Sequence, residues 1–221
     1  LNILLTRPEP GASATAARLA GLGHTPILAP CLVVTRRQAR LPDHPAAIII
    51  TSLQAVPALP ANYHHIPVFC VGDATAGRLR ETGFRSVTSA AGDAEDLRRL
   101  ITARPIQGTY LLATGARQGT TLARQLRAAR IPVLRRVVYA ATPVRALPSE
   151  ALAALTAGEI GAALFYSAET AAAFARLAPL GTASITALAL SQAVAVPLHG
   201  LPWAAIRVAV RPTEADLVAL I

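Results

Sequence analysis

Cys70-Val71-Gly72-Asp73-Ala74-Thr75-Ala76 and Ala189-Leu190-Ser191-Gln192-Ala193-Val194-Ala195 carry one pattern: a short apolar run, a small or hydroxylic residue, then an alanine-rich helix start. Laid outward from these two stretches, other strand-end segments pair in the same way. Ile49-Ile50-Thr51-Ser52 resembles Phe165-Tyr166-Ser167, and Ala94-Glu95-Asp96-Leu97 resembles Glu214-Ala215-Asp216-Leu217. Leu4-Leu5-Thr6, followed by Gly11 and a helical stretch, resembles Leu111-Leu112-Ala113-Thr114, followed by Gly119 and another. Repetition of strand, turn and helix in matching segments points to an internal duplication.

The apolar runs are strand-sized and alternate with amphipathic stretches, the signature of parallel strands joined by helical crossovers. Strands are expected over Asn2 to Thr6, Pro26 to Val34, Ala46 to Ile50, Val68 to Val71, Val87 to Ala90, Tyr110 to Ala113 and Val133 to Ala140. Ala162 to Phe165, Ala187 to Leu190 and Arg207 to Val210 complete the set. The fold class is α/β, with two similar domains that usually place a ligand beyond the carboxyl ends of their strands, in the cleft between them.

Composition narrows the chemistry. Of 221 residues, 53% are apolar, enough for folded cores, and the net charge is +9. All the basic charge apart from histidine is arginine, so Schiff-base, pyridoxal and phosphate-loop lysine chemistry is excluded. Cys31 and Cys70 lie in apolar stretches without neighbouring His or Cys, which favours buried reduced thiols over a disulfide or zinc site. No stretch has the pattern of a leader peptide or membrane span, and the reading is a cytoplasmic protein without membrane contact. The densest arginine pairs, Arg36-Arg37, Arg98-Arg99 and Arg135-Arg136, are scattered and the aromatics are sparse, which argues against a nucleic-acid groove.

At the repeated strand ends stand Thr, Ser, Gly and Asp rather than His, Cys or carboxylate pairs. Helix-start amides and hydroxyls are anion-binding groups. Ser52, Thr75, Ser167 and Thr213 are equally suited to capping their own helices. Glu9, Glu95, Glu169 and Glu214 fall in first turns, where a carboxylate complements the dipole and performs no chemistry. Tyr139, in the apolar run Val137-Val138-Tyr139-Ala140, is either a proton donor or a buried phenol bonded to a carbonyl.

Read together, Leu5-Thr6-Arg7-Pro8, Ile50-Thr51-Ser52, Val71-Gly72-Asp73-Ala74-Thr75-Ala76, Val137-Val138-Tyr139, Phe165-Tyr166-Ser167 and Arg211-Pro212-Thr213 resemble the uroporphyrinogen-III synthase family, in order along nearly the whole chain. The resemblance implies a cofactor-free lyase that closes the linear tetrapyrrole hydroxymethylbilane, inverting its last ring with loss of water. It also implies two three-layer α/β domains with parallel sheets joined by a two-stranded β linker. One domain would comprise residues 1–33 plus 143–221 and the other 36–137, with linker strands at 33–36 and 137–142. The repeats alone allow contiguous halves equally well.

By the same resemblance Tyr139 would assist departure of the hydroxyl. Arg7, Ser52, Gly72, Thr75, Gly115, Ser167, Ser191 and Thr213 would lie at the substrate. Ser191-Gln192-Ala193-Val194 lacks the threonines usual in the family, and Gln54 stands where some members have arginine. The expected partner is the tetrapyrrole substrate alone, bound by a monomer, with transient contact to the upstream hydroxymethylbilane synthase left open. The competing readings are a two-domain binding protein for a small anionic ligand and a family member that has lost turnover.

Overall fold

The computed structural model describes residues 1–177 and 179–221. In chain order its elements begin with β1 (Asn2–Leu5), α1 (Gly11–Gly21), β2 (Thr25–Leu28), β3 (Leu32–Arg36) and β4 (Ala47–Ile50). There follow β5 (Val68–Cys70), α2 (Asp73–Glu81), β6 (Val87–Ser89), α3 (Ala94–Ala103), β7 (Tyr110–Gly115), α4 (Thr120–Ala128) and β8 (Val133–Pro143). The last third contains α5 (Ser149–Thr156), β9 (Ile160–Phe165), α6 (Ala168–Leu177), β10 (Thr186–Ala189), α7 (Gln192–Ala195), β11 (Ala205–Val208) and α8 (Glu214–Val218).

The chain divides into two compact units, Leu1–Val33 with Thr142–Ile221, and Val34–Ala141. The first unit holds a sheet of order β11-β10-β9-β1-β2, and the second a sheet of order β3-β8-β7-β4-β5-β6. Reading β4 as β9, β5 as β10, β6 as β11, β7 as β1 and β8 as β2 superimposes one order on the other. Every strand-end match in the sequence therefore occupies the same place in its sheet. The duplicated strands pair in parallel throughout.

Both faces of each sheet are covered, which explains apolar runs without alternation. In the second unit Ile48 and Ile50 belong to one core cluster, while Ala47 and Ile49 belong to the other. In the first unit Ile3, Leu5, Leu164 and Leu188 meet Leu19 and Leu217, and the rings of Phe165, Phe174 and Trp203 pack together. At about 1.5–3 kcal/mol for each large apolar side chain buried, these faces supply the main stabilisation of each unit.

The sequence between Pro26 and Val34 corrects the expectation of one extended run. It forms two strands, β2 and β3, interrupted at Ala29-Pro30-Cys31 and assigned to different sheets. Ala29 N still donates to Leu5 O at 2.8 Å and Cys31 N to Thr6 O at 3.0 Å, while Pro30 between them has no N–H to donate. β3 lies beside β8: Arg37 N donates to Val138 O at 2.9 Å and Val144 N to Cys31 O at 3.0 Å. One strand thus descends as the other ascends, an antiparallel ladder carrying the two chain crossings. After β4 the helix start expected at Thr51 and Ser52 is a 3-10 helix, Leu53–Ala58, with Pro57 inside it.

Candidate active site at the strand ends

The carboxyl ends of neighbouring strands gather the candidate residues into two sets. In the second unit Gly72 and Ser52 follow β5 and β4, while Gly115 and Tyr139 lie in β7 and β8, and the four strands are adjacent in that order. In the first unit Thr213, Ser191, Ser167 and Arg7 follow β11, β10, β9 and β1, again adjacent. Parallel sheets bind ligands at this edge because helix starts and loops converge there.

Capping accounts for part of each set. Ser52 accepts from Gln54 N at 3.3 Å, Ser167 from Thr170 N at 3.1 Å, and Thr213 from Asp216 N at 3.2 Å. Gly72 and Ser191, which are equivalent in the duplication, instead leave their helix starts without a side-chain cap. Each carbonyl accepts the first helical bonds, from Thr75 N and Ala76 N in one unit and from Val194 N and Ala195 N in the other. A helix start lacking its own oxygen acceptor is suited to an external one. Thr75 is buried within the first turn of α2. The helix at Ser191 is shorter than the one at Gly72, since Pro197 turns its continuation into a 3-10 segment, Val196–Gly200.

Tyr139 is 2% exposed, and its hydroxyl donates to the side-chain amide oxygen of Gln118, Oε1, at 2.8 Å. The loop carrying Gln118 is clamped by Arg135, whose guanidinium donates to the carbonyls of Gly115, Ala116 and Gln118. Gly115 pairs with Tyr139 across β7 and β8, and a Cβ there would lie 2.8 Å from the phenol ring. Glycine at this position permits that close approach.

Arg7 is the centre of a network that the sequence did not signal. Its guanidinium lies 4.1 Å from the Tyr166 ring centroid, donates to Thr15 Oγ1 at 3.1 Å, and reaches Glu214 Oε1 at 3.5 Å. Tyr166 Oη and Thr15 Oγ1 both donate to that same carboxylate oxygen, at 3.1 and 2.5 Å. Glu214 is therefore a hub linking the ends of β1 and β9 to α1 and α8, which corrects its reading as a carboxylate serving only the dipole. Burial, then the Glu214 charge, pushes the Tyr166 phenol up to about 12, so it stays protonated. A Cβ at Gly11 would collide with the Arg7 guanidinium, so a bare backbone there makes room for it.

Among the described residues no group of three or more His, Cys, Asp or Glu is placed to hold a metal ion, and no helix is long and apolar enough to cross a membrane. Cys31 and Cys70 are free and buried.

These observations define a duplicated α/β protein whose strand ends carry uncapped amides, hydroxyls and a fixed arginine. The family model described as uroporphyrinogen-III synthase HemD matches residues 13–219. The chain belongs to the uroporphyrinogen-III synthase family, the lyases that form a porphyrin precursor in tetrapyrrole and heme biosynthesis. It is similar in fold to the uroporphyrinogen-III synthetase of Helicobacter pylori, at 18% identity and a TM-score of 0.67, over 99% of this chain and 97% of that one. A mutant uroporphyrinogen III synthase of the extreme thermophile Thermus thermophilus is similar at 18% identity and a TM-score of 0.52, over 100% and 97%. No curated protein matches the sequence.

Proposed function

We propose that the two sets of strand-end residues carry out the family's ring closure, the conversion of hydroxymethylbilane to uroporphyrinogen III with inversion of the last pyrrole. The observation that supports the residue roles most is the equivalence of Gly72 and Ser191, helix starts at matching strand ends that both lack a side-chain cap. Each pyrrole of the substrate bears an acetate and a propionate, and backbone amides with the helix dipole hold such groups without a lysine. Arg7 supplies a further cation, fixed by Tyr166 and Glu214. Ser52, Thr75, Gly115, Ser167 and Thr213 shape the same edges.

Loss of the terminal hydroxyl leaves an electron-poor azafulvene, and attack on it needs positioning more than covalent help. Tyr139 is assigned as the donor of a proton to the departing oxygen. Gln118 holds the phenol in place through the 2.8 Å bond, and the donor exchanges this partner for substrate. The protein works as a cytoplasmic monomer with no cofactor, and receives its substrate from the enzyme that makes hydroxymethylbilane.

The test is direct. Purified protein mixed with hydroxymethylbilane is expected to yield isomer III in place of the isomer I that forms spontaneously. Isomer I alone, at any protein concentration, overturns the assignment and favours a binding protein or a member without turnover.

A further inference from the structure

Beside the loop that leaves β3, the second unit holds a cavity of about 610 Å³ whose lining includes Arg36, Arg37 and Arg40 together with Leu41, Pro57 and Ala58. None of these residues belongs to the strand-end set. The three guanidiniums make no ion pair among the described residues, whereas Arg78, Arg98, Arg99 and Arg211 are each paired with a nearby carboxylate. The acidic residue next along the chain, Asp43, acts on Tyr63, whose hydroxyl donates to Pro42 O. The loop is held at both ends: Arg37 N donates to Val138 O at 2.9 Å, and Arg136 Nε to Arg40 O at 2.8 Å. Ala39 and Leu41 pack against the core cluster beneath it. Three like charges gathered on a fixed loop repel one another, and an anion relieves that repulsion.

We propose that this cavity is a second carboxylate site, which takes one acidic pyrrole of a tetrapyrrole. Its carboxylates meet Arg36, Arg37 and Arg40 while the ring lies on Leu41, Pro57 and Ala58. Guanidinium suits both tasks, since it pairs with carboxylates through a planar fork and stacks on flat rings. A volume of about 610 Å³ is in the range of small-molecule sites and accommodates part of a tetrapyrrole. The choice of ligand rests on the reading given under Proposed function; the presence of an anion site does not.

The experiment titrates uroporphyrin III, a stable macrocycle with the same carboxylates, into three proteins: wild type, the triple variant Arg36→Gln, Arg37→Gln, Arg40→Gln, and a control of equal charge loss, Arg18→Gln, Arg104→Gln, Arg124→Gln. Three exposed ion pairs together are worth about tenfold in affinity, so the pocket variant is expected to bind about tenfold more weakly and the control within about twofold of wild type. Equal affinity in wild type and pocket variant, an equal loss in the control, or no binding by wild type overturns the proposal. Inorganic phosphate at matched ionic strength is expected to compete poorly. Competition as effective as that of a free pyrrole dicarboxylate overturns the ligand class. The isomer assay on the same samples tests the activity separately: wild type that makes only isomer I removes ring closure, while the binding data still decide the pocket.

Discussion

Replacing Tyr139 with Phe removes a single oxygen and separates two effects of very different size. The ring remains against Gly115, and the structural loss includes the bond to Gln118 Oε1 at 2.8 Å. Gln118 is only half-buried, so water can serve its amide, and the cost to folding is about 1 kcal/mol. A general acid contributes far more to a rate, about 10²–10⁴-fold, or roughly 2.7–5.4 kcal/mol of transition-state energy. Urea titration measures the first quantity. Timed incubation with hydroxymethylbilane, oxidation of the products and chromatographic separation of isomers I and III measure the second. Gln118→Leu is the companion variant, because it breaks the same hydrogen bond but keeps the phenol. It is expected to lose similar stability while forming isomer III within about tenfold of the wild-type rate. A Tyr139→Phe protein that makes isomer III at the wild-type kcat refutes the assignment of the phenol as proton donor.

Gly115→Ala forces a methyl against the Tyr139 ring and is expected to cost about 1–3 kcal/mol, read as a lower melting temperature, together with a fall in isomer III formation. Thr213→Ala removes the cap of α8, costing about 1 kcal/mol in a urea titration. Hydrogen bonds from Arg211 and then Thr213 hold the Asp216 carboxyl below its ordinary 3.8. Its contribution is therefore present above pH 3.8 and lost as pH falls through the lower folded value, and Thr213→Ala is expected to move that loss to higher pH. Burial pushes the Cys31 thiol up to about 12 and the Cys70 thiol up to about 11 from an ordinary 9.0. Above pH 9 the unfolded chain releases these protons while the folded one keeps them, so stability is expected to decline as pH rises from 9 toward 11–12. Near neutral pH neither thiol should react with iodoacetamide until denaturant is added.

The α/β class is legible in residues such as Ala47-Ile48-Ile49-Ile50, since a strand buried on both faces has no polar alternation and needs helices on both sides. The duplication is legible because strand ends repeat their turn chemistry, and the matching sheet orders follow from it. Capping and ligand binding draw on the same residue types, so sequence could not separate Ser52, Ser167 and Thr213, which cap, from Ser191, which does not. The Arg7 hub was hidden for a different reason. Its partners Tyr166 and Glu214 lie more than a hundred residues away along the chain, and a first-turn glutamate looks the same whether it meets only the dipole or an arginine as well. The break at Pro30 was visible as a proline, but the change of sheet it accompanies was not.

β1 sits between β2 and β9, although about 155 residues containing the whole second unit separate it from β9 along the chain. A ribosome therefore releases Ile3, Leu4 and Leu5 long before the strand that will cover one side of them exists. The inner segment, contiguous in synthesis, can complete its own sheet first, while the early pair of strand and helix waits uncovered. Premature association of those waiting residues is the hazard this chain order creates, and slowing translation after β8 would prolong it.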